Sequence, residues 1–398
     1  MDSLRGFAIL GIFIANLASF SFYEPGPHTG RFFTRFDDQM FFLHTMFIEG
    51  KFYSIFSFLF GWGIALQLAR SKSTSISSVP FVKRRLLIMA LLGLAHLILL
   101  WIGDIVLFYA LLGFVLLMVR NWKDRPLLIA ALILLLSPIL FYYLKIQFKW
   151  ANAPANFMIE QAYKYDAKLN NIQSDVEFFR TIHTLDVWTN IKLNISGFFF
   201  RYNDLFFQSR ISKVLGMFFL GYLMGRNERY KTILSNTKLL WTVAISCLAV
   251  AIPVSYIYAR LHEQTGYRQL TFHGLWQTIA YAFSVAPLAI AYICLLFLLA
   301  KAKIGEKILK QVRPVGKMAF SNYIMHSIIG VTVFTGIGFA FDRQVGPVYF
   351  TLFALIVFLA QIVLSKFWLS HFQFGPIEWL WRSATYGKRQ KFRKMSYE

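Results

Sequence analysis

Two ionisable side chains stand where an apolar chain turns back on itself. Residues 84–113 begin Arg84-Arg85, continue through an apolar run holding His96, pass Trp101-Ile102-Gly103-Asp104 and enter a second apolar run. His96 lies about one and a half helical turns before Trp101, and Asp104 occupies the turn. Ionisable groups at membrane depth are costly and mark pathways, relays or reactive sites. Histidine suits a general base because its unperturbed pKa is about 6.5, and a neighbouring carboxylate can orient the ring or stabilise the imidazolium. Upstream, His44, Glu49 and Lys51 stand close together and Asn16 sits in the first apolar run. The same part of the chain therefore offers a second imidazole, a second carboxylate, an ammonium and an amide.

The composition defines the frame that must position these groups. Of 398 residues, 57% are hydrophobic and 15% charged, where a soluble domain carries about a quarter charged. Long apolar runs recur from end to end without the alternation of barrel strands, which predicts an all-α, polytopic integral membrane protein. About ten spans of the usual length are expected, near 4–22, 52–70, 85–101, 105–120, 126–145, 211–226, 238–259, 275–300, 316–340 and 347–369. The sixth is the least sharply bounded, since 198–207 is also apolar and aromatic. The first run starts at Leu4 without an A-x-A site and reads as an uncleaved span.

Lys and Arg gather in alternate loops, at 70–85, 120–125, 226–238 and 301–313, and again in the tail. The positive-inside rule then places both termini in the cytoplasm. The expected organisation is an N-terminal five-span bundle with a polar outer pocket (1–145), an extracytoplasmic amphipathic insert (146–210), a C-terminal five-span bundle (211–370) and a basic cytoplasmic tail (371–398). Within the insert, Ser174-Asp175-Val176-Glu177 has the form of a capping box and predicts a helix start. Residues 185–207 mix aromatics with Lys192, Arg201 and Asp204 and read as an interfacial helix, either a lid over a cavity or a packing element.

On this topology Asn16, His44, Glu49, Lys51, His96, Trp101 and Asp104 share the outer third of the first four spans. That predicts an outward-facing polar pocket with His96 or His44 as base. Each residue also has a plain role. Asp104 follows Gly103 and opens a helix, the place of an N-cap; His96 can bond a neighbouring helix; Lys51 can snorkel and Trp101 can sit in the aromatic belt. On the cytoplasmic side Arg5, Arg70, Lys72, Lys83, Arg84 and Arg85 converge if the first three spans pack together. Positive-inside bias and anionic lipid explain such a cluster; the functional reading is a seat for a phosphorylated donor such as coenzyme A, on Arg5, Arg84 and Arg85.

The net charge of +22 lies in loops, which argues against a nucleic-acid partner. Cys247 and Cys294 fall inside apolar runs, so buried thiols are expected, with no disulfide and no metal site. Gly221 and Gly225 form a small-xxx-small pattern for close helix packing. No P-loop, G-x-S-x-G, HExxH, CxxC or GxGxxG fingerprint is present, which leaves ATPase, hydrolase-elbow and zinc chemistry without support.

Several stretches together resemble the YeiB-like family of bacterial membrane proteins, described by a domain of unknown function. They are 4–11 with Asn16 beyond, 51–61, Gly93-Leu94-Ala95-His96, 101–105, Gly316-Lys317-Met318-Ala319-Phe320-Ser321-Asn322-Tyr323, and Phe374-Gly375-Pro376-Ile377-Glu378-Trp379-Leu380-Trp381-Arg382. The family is similar to a broader superfamily of multispanning acyltransferases that includes heparan-glucosaminide N-acetyltransferase, linked here through Leu4-Arg5-Gly6. That resemblance implies a bacterial plasma-membrane enzyme moving an acyl group from cytoplasmic acyl-CoA to an extracytoplasmic hydroxyl or amine of an envelope glycan or lipid. In the heparan enzyme the working histidine lies in the first outer loop; here that loop offers His28 and His44, with His96 as a competitor. On this reading Lys51 or Asn16 stabilises the oxyanion, and Asn16, Glu49, Lys51, Trp101 and Asn322 contact substrate. The rival classes are a transporter or flippase using His96 and Asp104 as relay or gate, and a non-catalytic membrane scaffold. Membrane lipids are expected partners, nucleic acid is not, and the oligomeric state is left open.

Overall fold

Apolar runs of this length can hide their backbone N–H and C=O groups only by coiling. Nine of the ten expected runs are each a helix in the computed structural model, which describes residues 1–26, 30–70, 78–262 and 267–394. His28, Lys72 and the Arg70 side chain lie outside the described residues. Among the described residues there are seventeen α-helices and no β-strand: α1 (Asp2–Ser21), α2 (Asp37–Phe47), α3 (Lys51–Arg70), α4 (Ser78–Leu99), α5 (Val106–Met118), α6 (Asp124–Gln147), α7 (Ala153–Asn170), α8 (Asp175–His183), α9 (Val187–Phe207), α10 (Arg210–Gly225), α11 (Arg229–Ser235), α12 (Thr237–His262), α13 (Phe272–Lys301), α14 (Lys303–Lys317), α15 (Ala319–Phe334), α16 (Pro347–His371) and α17 (Pro376–Tyr386).

Six helical segments are long and apolar enough to cross a membrane: α1, α2 with α3, α6, α12, α13 and α16. The others differ for physical reasons. α5, α10 and α15 have 13, 16 and 16 residues, about 20–24 Å at 1.5 Å per residue, against a hydrocarbon core of about 30 Å. α4 is long enough but carries Lys83, Arg84 and Arg85 near its start. The run expected at 316–340 is divided, because Met318 leaves helical geometry between the strongly amphipathic α14 and the apolar α15.

The two halves of the chain interleave. α1 packs on α14, α15 and α16, and α3 on α10 and α13. Small residues make the closest crossings possible. A Cβ on Gly61 would strike the Phe218 carbonyl, and one on Gly221 the Phe58 carbonyl, so α3 and α10 touch backbone to backbone, as the 221–225 pattern predicts. Gly6 and Gly316 do the same for α1 and α14. The start of the chain therefore rests against the stretch that launches α15.

The C-terminal motif fixes that launch. Glu378 Oε1 accepts the Phe320 N–H (2.7 Å) and the Ser321 N–H (3.1 Å), while Ser321 donates its hydroxyl to Oε2 and accepts the Ile377 N–H at 3.1 Å. The carboxylate supplies acceptors for the free N–H groups at the start of α15. Burial outweighs these donors and pushes the Glu378 carboxyl above its usual range. Trp381, one turn later, donates its indole N–H to Arg85 O (2.9 Å) and carries the Arg85 guanidinium 3.8 Å above its ring centre. Glu378→Ala is expected to cost about 1–2 kcal/mol by uncapping α15, and Glu378→Gln less, because its amide oxygen still accepts the two backbone N–H groups. Thermal unfolding in detergent measures this, and an Ala variant as stable as the parent would sink the capping role.

Candidate functional site

The hairpin of α4 and α5 is closed by a buried chain of side-chain hydrogen bonds. His96 Nδ1 lies 2.8 Å from Asp104 Oδ2, and His96 Nε2 lies 2.8 Å from Ser327 Oγ on α15. Asp104 Oδ1 accepts the Leu107 N–H at 2.7 Å, which makes it the cap of α5 as well as the partner of the imidazole. With Nδ1–H donated to the carboxylate, Nε2 is left to accept the serine proton. One turn before Ser327, the Tyr323 hydroxyl donates to Gly103 O (3.2 Å) and accepts the Ile105 N–H (3.3 Å). The sequence order alone does not foresee Ser327, 231 residues from His96.

The insert docks on the same turn. α8 begins at the expected capping box, with the Ser174 hydroxyl accepting the Glu177 N–H (3.3 Å) and Glu177 Oε2 accepting the Gln173 N–H (2.7 Å). α9 starts on Asp186, which accepts the N–H groups of Trp188 and Thr189. Asn190, Asn194, Gly197 and Arg201 then repeat at helical spacing along one face. Asn190 donates to Leu100 O and Asn194 to Ile98 O, each at 3.1 Å, satisfying the free carbonyls at the end of α4. Gly197 admits the Ile102 side chain, and Arg201 Nη2 reaches Asp104 O at 3.4 Å. α9 is a packing element, one of the two roles expected for it, and also a cavity wall.

Between these elements lies a cavity of about 770 Å³, within the ordinary range of ligand pockets. Asn16 and Phe20 of α1 form one wall, His44, Glu49 and Tyr53 a second, Trp101 and Gly103 a third, and α9 with Arg210, His262, Tyr281 and Tyr323 closes it. The Asn16 side chain makes no hydrogen bond among the described residues. His44 Nε2 is 2.9 Å from Thr351 Oγ1, whose hydroxyl donates to Pro347 O. Nε2 must therefore donate, and the lone pair of His44 stays on Nδ1, which is buried and has no partner. Glu49 Oε1 accepts the Tyr258 hydroxyl at 3.1 Å, and Glu49 Oε2 stands 3.8 Å from His262 Nε2.

Of the residues singled out by sequence, Asn16, His44, Glu49 and Trp101 line this cavity. His96 and Asp104 lie behind its wall, screened by Gly103 and Tyr323, and both imidazole nitrogens are occupied. Lys51 is fully buried and donates to Thr45 O at 2.7 Å across Gly50 (φ +79°). It satisfies the end of α2 in place of reaching solvent or substrate. Asn322 faces α16, donating to Val315 O (3.2 Å) and Ser365 Oγ (3.1 Å). It holds α15 against α16 and does not line the cavity.

Each member of the basic cluster makes its own contact. Arg5 pairs with Asp2 at 3.1 Å, Arg85 lies on Trp381, and Arg84 is exposed beside Gly387 at the end of α17. Cys294 is buried and Cys247 half-buried, and both are free thiols. Sequence reasoning passed over Arg201, Arg210, His262, Tyr53, Tyr281 and Tyr323 as cavity residues. The period of α9 marked Arg201, but Arg210 joins it through the left-handed Ser209 (φ +51°), a turn without a glycine to announce it.

A family model described as "Protein of unknown function (DUF418)" matches residues 224–388. The Bacillus subtilis (strain 168) protein named uncharacterized protein YxaH is 29% identical over 97% of this chain and 93% of its own length. Uncharacterized protein YeiB of Escherichia coli (strain K12) is 25% identical over 97% and 95%. Over nearly its whole length the chain is similar to the uncharacterized proteins of the YeiB-like family. An uncharacterized 39.9 kDa protein in the amylase 3' region of Bacillus acidopullulyticus is 25% identical over 98% of the chain and 94% of its own length. No solved structure matches. The family model spans α15 and α17 with their capping motif, while Asn16, His44, His96, Arg201 and Arg210 lie outside it.

His96→Ala leaves Asp104 and Ser327 buried without their partner and is expected to cost about 3 kcal/mol. Ser327→Ala removes one hydrogen bond and is expected to cost about 1 kcal/mol. Thermal or denaturant unfolding of the two variants in detergent checks the order; a His96→Ala protein no less stable than Ser327→Ala would contradict it.

Proposed function

We propose that this protein is a membrane-embedded acyltransferase of the bacterial plasma membrane, crossing it about ten times with both termini in the cytoplasm. It moves an acyl group from a cytoplasmic acyl-CoA to an extracytoplasmic hydroxyl or amine of an envelope glycan or lipid. The observation that carries the reading is His44, a cavity-lining imidazole whose tautomer is set by Thr351 and whose Nδ1 has no protein partner. A base must reach the proton it removes. Of the two imidazoles His44 is the one that lines the cavity and keeps a nitrogen without a partner, whereas both nitrogens of His96 are engaged behind the wall.

In this mechanism His44 Nδ1 takes the proton of the acceptor as its oxygen or nitrogen attacks the thioester carbonyl. The Asn16 amide donates to the oxyanion that forms. As the carbon–sulfur bond breaks, the imidazolium returns the proton to the departing thiolate. Glu49 and Trp101 flank the acceptor in the cavity. Arg84, exposed, and its neighbours Arg85 and Arg5 would meet the phosphates of the donor. Arg5 and Asn16 are eleven residues apart on α1, about 16 Å, so donor phosphates and acceptor occupy opposite ends of the bundle. The orientation is supported by the basic loops and by α14. That helix joins the Arg5 end through Gly6 and Gly316, and exposes Ile304 and Ile308 among lysines as an interfacial helix does.

The test is purified protein in nanodiscs with radiolabelled acetyl-CoA and an envelope glycan or lipid extract. Transfer of label to the extract is expected, falling at least about a hundredfold in His44→Ala when compared at equal folded protein. In His96→Ala any loss should follow the folded fraction. Absence of transfer to any acceptor, or full activity in folded His44→Ala, would sink the proposal.

A further inference from the structure

We infer that the Arg201–Arg210 end of the cavity binds a phosphate group, so that the molecule received there is a phosphorylated polar compound or a lipid headgroup. Both guanidinium groups line the cavity. Neither has a carboxylate within ion-pair distance among the described residues, since the ion pairs there involve other groups. Their donors are largely unspent. Arg201 gives Nη2 to Asp104 O at a long 3.4 Å, and its Nε is buried without a partner. Arg210 gives Nε to Gln208 Oε1 at 2.8 Å and lies 5.4 Å from the Tyr53 ring centre. Each guanidinium carries five N–H donors in a planar fork, so most point at nothing the protein supplies.

Two further cations stand nearby. Lys213 sits 3.7 Å from the Tyr281 ring centre and Lys145 is spent on the carbonyls of Phe206 and Phe207. The nearby carboxylates are already engaged. Asp204 pairs with Arg268, and Glu49 takes the Tyr258 hydroxyl and faces His262. Asp166, further along the cavity, is held by Ser196 and Asn170, and Asp175 opens α8. Asp104 and Asp204 act on Arg201, and Asp204 and Glu49 on Arg210, from beyond ion-pair distance, so the two neighbouring cations have no direct partner and leave room for an anion that both forks can reach. A carboxylate has one charge and two oxygens and is filled by a single fork. A phosphate monoester has about −1.5 to −2 charge and three free oxygens, which matches two forks.

This inference deepens the acyltransfer reading by giving the acceptor its charged group. Its test contains no acyl donor, so it succeeds or fails separately. Purified full-length protein is titrated with radiolabelled sn-glycerol 1-phosphate in detergent, and its unfolding temperature is compared in phosphatidic acid and phosphatidylcholine nanodiscs. Arg201→Gln and Arg210→Gln should each weaken phosphate binding by about tenfold or more, and the Lys variants by less, because lysine keeps the charge and loses the fork. Saturable binding of the soluble ester identifies a free phosphorylated compound. Stabilisation confined to phosphatidic acid discs and lost in the Gln variants identifies a headgroup. Should a Gln variant fail to fold, the Lys variants decide. Wild-type protein that binds neither probe, or folded arginine variants with wild-type affinity, would overturn the inference.

Discussion

A helix that ends inside an apolar bundle must find partners for its last N–H and C=O groups within the protein, because no bulk water reaches them. This one requirement accounts for several of the buried polar side chains in the molecule. Glu378 caps α15, Asp37 accepts the Val348 N–H at the start of α16, and Asp104 caps α5. Lys51 satisfies the end of α2, Lys145 that of α9, and Asn190 with Asn194 that of α4. Several caps come from a distant element, so each also fastens two parts of the chain. The recurrent motifs gain a physical meaning through this. The Gly375–Arg382 segment and the Gly316–Tyr323 segment are two halves of one cap, and Gly6 is the surface on which that cap rests.

The same requirement separates structural polar groups from available ones. His96 looks reactive in isolation, yet both ring nitrogens are used to hold α4, α5 and α15 together. Lys51 and Asn322 are likewise consumed by helix ends and helix contacts. Around the cavity, the groups left unspent include the Asn16 amide, the His44 lone pair and the guanidinium groups of Arg201 and Arg210. Unspent hydrogen-bonding capacity beside a ligand-sized space is the physical reason for placing function there.

The insert acquires its importance from where it docks. α9 closes the end of α4, presses Gly197 onto Ile102 and carries Arg201 to the hairpin turn. Without it the turn at Gly103 would leave carbonyls open and the cavity would lack one wall. Its removal would therefore affect stability and binding together, a coupling expected when one helix serves as cap and lining.

Sequence by itself determined what depends on near neighbours. Hydrophobic runs specified the helices, the Ser174–Glu177 box specified the start of α8, and Gly221 with Gly225 specified a close crossing. His96 and Asp104 were legible as a pair because a single tight turn separates them. Span length was less legible, since apolar residues buried against protein and residues facing lipid read alike, and α5, α10 and α15 proved short. Only the tertiary structure decided which polar groups were already satisfied. Ser327 reaches His96 from the far end of the chain, Ser209 adopts a left-handed turn that brings Arg210 toward Arg201, and Lys51 folds inward onto Thr45. Availability of a side chain is a property of all its neighbours at once, and no local pattern in the sequence encodes it.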